Sequence, residues 1–194
     1  MADVDVFGVA VGPGSFTGLR IGLASIQGLA YATGRPVVGV SAFDALALAV
    51  FEERPDWRSG PLGLWLDAQR QEVFASAVSC DRQGSGPVAG LRTVCAPSVG
   101  LAPAVIAAWR REPWFEALAF AGEGARTYRS AIDEARAGGA QILGTTPALA
   151  SAIGVIAGAR AQQGHASPPH ALQPLYVRRS DAELARDRRL ANPA

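Results

Sequence analysis

A strand–helix–strand signature occupies the first forty residues and constrains the fold more than anything after it. Val4 to Val11 is a short, valine-rich apolar run, of the kind that forms a strand buried on both faces. It breaks at Gly12-Pro13-Gly14-Ser15. From Thr17 to Thr33 the apolar residues Leu19, Leu23, Ile26 and Ala30 recur at helical spacing. Gly34 stops that helix, and Arg35-Pro36 leads into a second apolar strand, Val37 to Val40. Strand, helix and strand in so short a span predict a parallel pair joined by a right-handed crossover. The fold class is α/β.

The loop inside this unit invites a phosphate reading, which fails. Gly12, Gly14 and Gly18 allow tight turns, and the hydroxyls of Ser15 and Thr17 can cap the helix behind them. A phosphate loop of the Walker type needs a lysine after its second spaced glycine. Here Leu19 and Arg20 follow Gly18, and the 194-residue chain contains no lysine. A dinucleotide fingerprint needs a third glycine in G-x-G-x-x-G, and Thr17 stands there. No acidic residue ends the next strand to hold a ribose.

Downstream, Ser41 to about Glu53 reads as a second helix with a capping-box-like start, and Pro55 to Pro61 as a loop. Leu62 to Asp67 and Glu72 to Ser79 flank a short turn and read as an antiparallel hairpin. Asp81 to Gly90 reads as a loop, Val99 to Arg111 as helix, and Leu118 to Ala121 as a strand. Ala125 to Ala137 reads as a helix, Gln141 to Leu143 as a strand, Pro147 to Gln162 as a helix, and Leu175 to Val177 as a last strand. The arginine-rich stretch 181–194 reads as a mobile tail. Two lobes are expected, 1–55 and 61–171, with 172–180 returning to the first.

Gly12-Pro-Gly-Ser-Phe-Thr-Gly-Leu-Arg-Ile-Gly22, then Gly28-Leu-Ala and Val38-Gly-Val-Ser-Ala-Phe-Asp-Ala-Leu-Ala47, resemble the bacterial TsaB (YeaZ) family, paralogues of the tRNA-modifying protein TsaD. Leu66-Asp67-Ala68-Gln69-Arg70-Gln71-Glu72-Val73-Phe74 looks like that family's hairpin, Ala121 to Ala125 its glycine turn, and Pro174 to Arg179 its final strand. The resemblance implies the ribonuclease H-like, two-lobed fold of the actin/Hsp70-type ATPases. It implies a non-catalytic subunit for placing threonylcarbamoyl on tRNA adenosine, docked on a TsaD-type catalytic protein. A TsaE-type ATPase would join through the complex, tRNA would be met indirectly, and a homodimer is the other assembly. The family opens with a strand hairpin, a third strand and a helix that are missing before Met1, so the first lobe is expected to be incomplete and the natural protein to extend upstream.

The resemblance also changes how the first helix reads. Gly18, Gly22 and Ser25 form one row of small residues, and Ala24, Gly28 and Ala32 another. Such rows let a second backbone approach closely, either the chain's own sheet or a partner. The family's use of this helix for docking implies a partner face made by Gly18, Arg20, Gly22, Ser25 and Leu29.

Other chemistry is thinly represented. His165 and His170 lie in a Gly/Pro/Ser-rich loop without a carboxylate neighbour, and their spacing across two prolines fits neither a helix nor a metal pair. Asp67 could orient a metal-bound water, but beside Arg70 it reads more simply as a structural ion pair in a turn. A Ser15-centred hydrolase lacks a G-x-S-x-G elbow. No catalytic residue, cofactor or metal is assigned. Cys80 and Cys95 read as free thiols, and a net charge of +1 gives no global pull toward nucleic acid or membrane. Arg178, Arg179, Arg186, Arg188 and Arg189 are interleaved with acids and read as a solvated stretch. The lack of a signal peptide makes a cytoplasmic protein the expectation. The rival function is an ATP-binding enzyme of the actin/Hsp70/sugar-kinase type, and a third possibility is a partnerless degenerate paralogue.

Overall fold

A computed structural model describes residues 3–55, 57, 60–80, 90–136, 139–144, 148–178 and 186. The arginines at 179, 188 and 189, most of the 181–194 stretch, and 81–89 of the expected loop lie outside the described residues.

The βαβ unit forms in the predicted order, but its first strand begins at Phe7 rather than Val4, and only Val9 and Gly12 of it are buried. β1 (Phe7–Gly12), α1 (Phe16–Thr33) and β2 (Val37–Ser41) follow in order, and the two strands run parallel with Val9 opposite Gly39. Ser15 caps α1, its Oγ accepting the Gly18 amide at 3.3 Å. Thr17 is exposed in the first turn. Gly34 closes the helix in the left-handed region, φ 66°, where only glycine sits without strain.

A second sheet holds β3 (Leu62–Asp67), β4 (Glu72–Cys80), β5 (Leu91–Leu101), β6 (Ala119–Ala121) and β7 (Ile142–Leu143), in the order β5-β4-β3-β6-β7. β5, β4 and β3 are antiparallel; β3, β6 and β7 are parallel. Helices cover both sheets. α2 (Ala42–Glu53) lays Phe43, Leu46 and Val50 on Leu62, Leu64 and Phe74 of one sheet face. The other face packs Trp65 and Val73 against Val105, Ile106 and Trp109 of α3 (Ala102–Trp109) and Ile132 of α5 (Arg129–Ala135). On the first pair of strands, α1 packs Leu23 and Ala30 against Val9 and Val37. α6 (Leu149–Gln162) packs Ile156 and Ala157 against Val38 and Val40 on the opposite side.

Contacts therefore group α6 with β1 and β2, although chain order placed it in the second lobe. Three local readings are corrected. Val99 to Leu101 belongs to β5, not to the helix behind it, because β4 supplies a ladder that reaches Gly100 and Leu101. The helix expected from Ala125 to Ala137 is two, α4 (Glu123–Thr127) and α5, broken at Tyr128 with φ −103° and ψ 25°. Leu175 to Val177 forms no strand; one backbone bond, Leu175 N–H to Val11 O at 2.6 Å, ties it to the first lobe.

Candidate functional site

Most of the motif residues converge on one cleft of about 950 Å³ between the lobes. The first-lobe wall is the loop and first turn of α1, with Gly14, Ser15, Thr17, Gly18 and Arg20. The second-lobe wall is the β3–β4 turn with Asp67, Gln69 and Arg70, together with Glu123 at the start of α4. Residues 175–178 complete the lining.

Each wall is shaped by local constraints. Gly12 has φ 125°, and a Cβ there would lie 2.4 Å from the Leu175 carbonyl oxygen, so only glycine lets the two backbones meet. Across the cleft, Gln69, Arg70 and Gln71 all have φ near 60°, a conformation that costs a residue with a Cβ about 1–2 kcal/mol. The turn is held by backbone bonds from Ala68 N–H to Glu72 O and from Glu72 N–H to Gln69 O, both 3.0 Å.

The structure places the sequence-predicted residues unequally. Asp67 and Arg70 share the turn, and the Asp67 carboxylate accepts the Gln69 amide at 3.0 Å and its Nε2 at 2.9 Å. Gln69 was not legible as a partner, because the left-handed turn that brings it back has no glycine to announce it. Tyr128 stands near this turn, its phenol raised above the ordinary value by desolvation and then by the Asp67 charge. Neither histidine lines the cleft; both are exposed.

α1 presents a second surface. Leu23 and Ala30 face inward, which puts Thr17, Gly18, Ile21, Ser25, Gly28 and Ala32 on the outward side. That side carries no charge. A Cβ added at Gly22 or Gly28 would meet nothing within 4 Å, so these glycines do not pack on the chain's own sheet. Ile21 is 62% exposed and Leu29 40%. Arg20, the helix's one charged residue, turns aside: its guanidinium lies 4.0 Å from the Phe16 ring centroid and donates from Nε to the Tyr176 hydroxyl at 3.0 Å.

The family model for TsaD, tRNA N6-adenosine threonylcarbamoyltransferase, matches residues 1–186. The chain belongs to that family. An uncharacterized protein of Mycobacterium tuberculosis is 34% identical over 183 residues, 94% of this chain and 68% of that protein. TsaB of Haemophilus influenzae, a tRNA threonylcarbamoyladenosine biosynthesis protein, is 39% identical over 75 residues, covering 39% of this chain and 30% of its own length. The solved structure of YeaZ from Pseudomonas aeruginosa superposes with a TM-score of 0.68 at 27% identity, over 89% of this chain and 74% of that one. The family member is thus TsaB-like, with the ribonuclease H-like α/β fold of the YeaZ structures. Among the described residues no helix is long and apolar enough to cross a membrane.

Proposed function

We propose that this chain is a non-catalytic subunit in tRNA threonylcarbamoyladenosine biosynthesis, and that it docks on a TsaD-type protein through the outward face of α1. The relatives' names supply the process, and the surface of α1 supplies the mode. A surface helix ordinarily turns charged residues to water. The outward side of α1 instead offers Gly18, Ile21, Ser25 and Gly28 without a charge, and Gly28, like Gly22 at its border, has open space above it. That uncharged, open face is the observation carrying the proposal, since close helix packing needs small residues where two backbones approach. Gly22 and Leu29 flank it, and Arg20 borders it while held by Phe16 and Tyr176. A TsaE-type ATPase would then join through the docked partner.

Two measurements on Gly22→Leu and Gly28→Leu test this. In the free protein each should keep or raise stability, by up to about 1 kcal/mol, because an interior helical glycine is replaced without a clash. Calorimetric titration with the TsaD-type protein of the same cell should show at least about a tenfold loss of affinity. Unchanged affinity in both variants refutes the docking face.

A further inference from the structure

Residues 175–178 line the cleft without belonging to the sheet of either lobe. We infer that they form a clasp which holds the lobes together across the cleft, one end seated on α1 and the other on the β3–β4 hairpin. Upstream, the chain is fixed to the first lobe: Gln27 Nε2 donates to the Pro169 carbonyl at 2.9 Å and to the Leu172 carbonyl at 3.3 Å. Leu175 N–H then bonds the Val11 carbonyl at 2.6 Å. Tyr176 stacks its ring on Phe16, 5.2 Å between centroids at 29°, and its hydroxyl accepts from Arg20.

One residue later the attachments change lobe. Val177 packs against the cluster that contains Leu64 and Phe74. Arg178 forms an ion pair with Glu72 and lies 5.4 Å from the Phe74 ring centroid. Glu72 follows directly on the left-handed residues Gln69 to Gln71, so the far anchor stands at the base of the constrained turn. Both ends can open. Phe16 and Tyr176 are 39% and 42% exposed, and a partly exposed ion pair is weakened by salt. The inference does not depend on what docks on α1.

Charge exchange separates a clasp from ordinary packing. In a Cys80→Ser, Cys95→Ser background, nitroxide labels on Ala32→Cys of α1 and Thr93→Cys of β5 report the interlobe distance by electron–electron resonance. Arg178→Glu, Glu72→Arg and Tyr176→Ala should each broaden the distance distribution and speed amide exchange at residues 69–72 by about tenfold. The combined Arg178→Glu, Glu72→Arg protein should return both readouts toward wild type. Single variants that melt lower with unaltered distances would assign these contacts to packing alone and overturn the clasp. A combined variant no closer to wild type than the singles would overturn it too.

Discussion

Trp65 shows how one side chain can be buried for volume rather than for its polar handle. It is wholly inaccessible, and its indole N–H has no hydrogen-bond partner. Trp109 and Phe120 meet it edge to face, with ring centroids at 5.8 and 5.6 Å, an arrangement that gives the N–H at most weak aromatic acceptors. Trp65→Phe removes ring volume, which costs stability, and also removes an unsatisfied donor, whose burial costs about 1–3 kcal/mol. The two terms are alike in size and opposite in sign, so Trp65→Phe should change the urea unfolding free energy by less than about 1.5 kcal/mol. Trp65→Ala keeps only the loss and should cost about 3–5 kcal/mol. Ser76 makes the contrast: equally buried, it donates its hydroxyl to the Cys95 carbonyl at 2.9 Å.

At the scale of elements, the sequence was legible where one local signal decided the outcome. Ser15 and Gly34 bracket α1, and two apolar runs on either side of a short turn announce the hairpin of β3 and β4. It was illegible where a distant partner decided. β5 contains Pro97 and Gly100 and has no buried residue, only half-buried and exposed ones, so no burial pattern marks it; its conformation comes from the ladder offered by β4. The contact of Tyr176 with Arg20 spans 156 positions, and no spacing rule reaches that far. The β3–β4 turn is a third case, since three successive non-glycine residues adopt positive φ against their intrinsic preference. Gln71→Gly relaxes one of them while keeping the backbone carbonyl that accepts from Ala102 N–H. It should raise the unfolding free energy by about 1 kcal/mol in urea titration. A loss of stability would mean that the Gln71 side chain contributes more than its backbone conformation costs.

For the whole molecule, the decisive element is α2, because nearly all of it is buried and each lobe claims one side. Leu46, Ala47 and Val50 join the core over Leu62, Leu64 and Phe74. Ala45, Leu48 and Ala49 join the core of Val38, Val40 and Ile156. Arg160 adds a tie from α6, donating to Asp44 at 2.6 Å and to the Gly39 carbonyl at 3.3 Å. A helix apolar on all sides reads in sequence as buried, but which neighbours would bury it could not be read, because α6 lies about a hundred residues further along. Sharing α2 makes the stability of the lobes mutually dependent. Leu46→Ala opens a cavity on the side of the second sheet and should cost about 2–5 kcal/mol. If the lobes were independent, the protection of β1 and β2 amides would be untouched by a cavity in the other core. With α2 common to both, native-state hydrogen exchange should show the slowest amides of Val38 and Val40 losing protection by the same free energy as those of Leu64 and Phe74. Protection lost only in the second sheet would show that the lobes unfold separately and that α2 belongs to one of them.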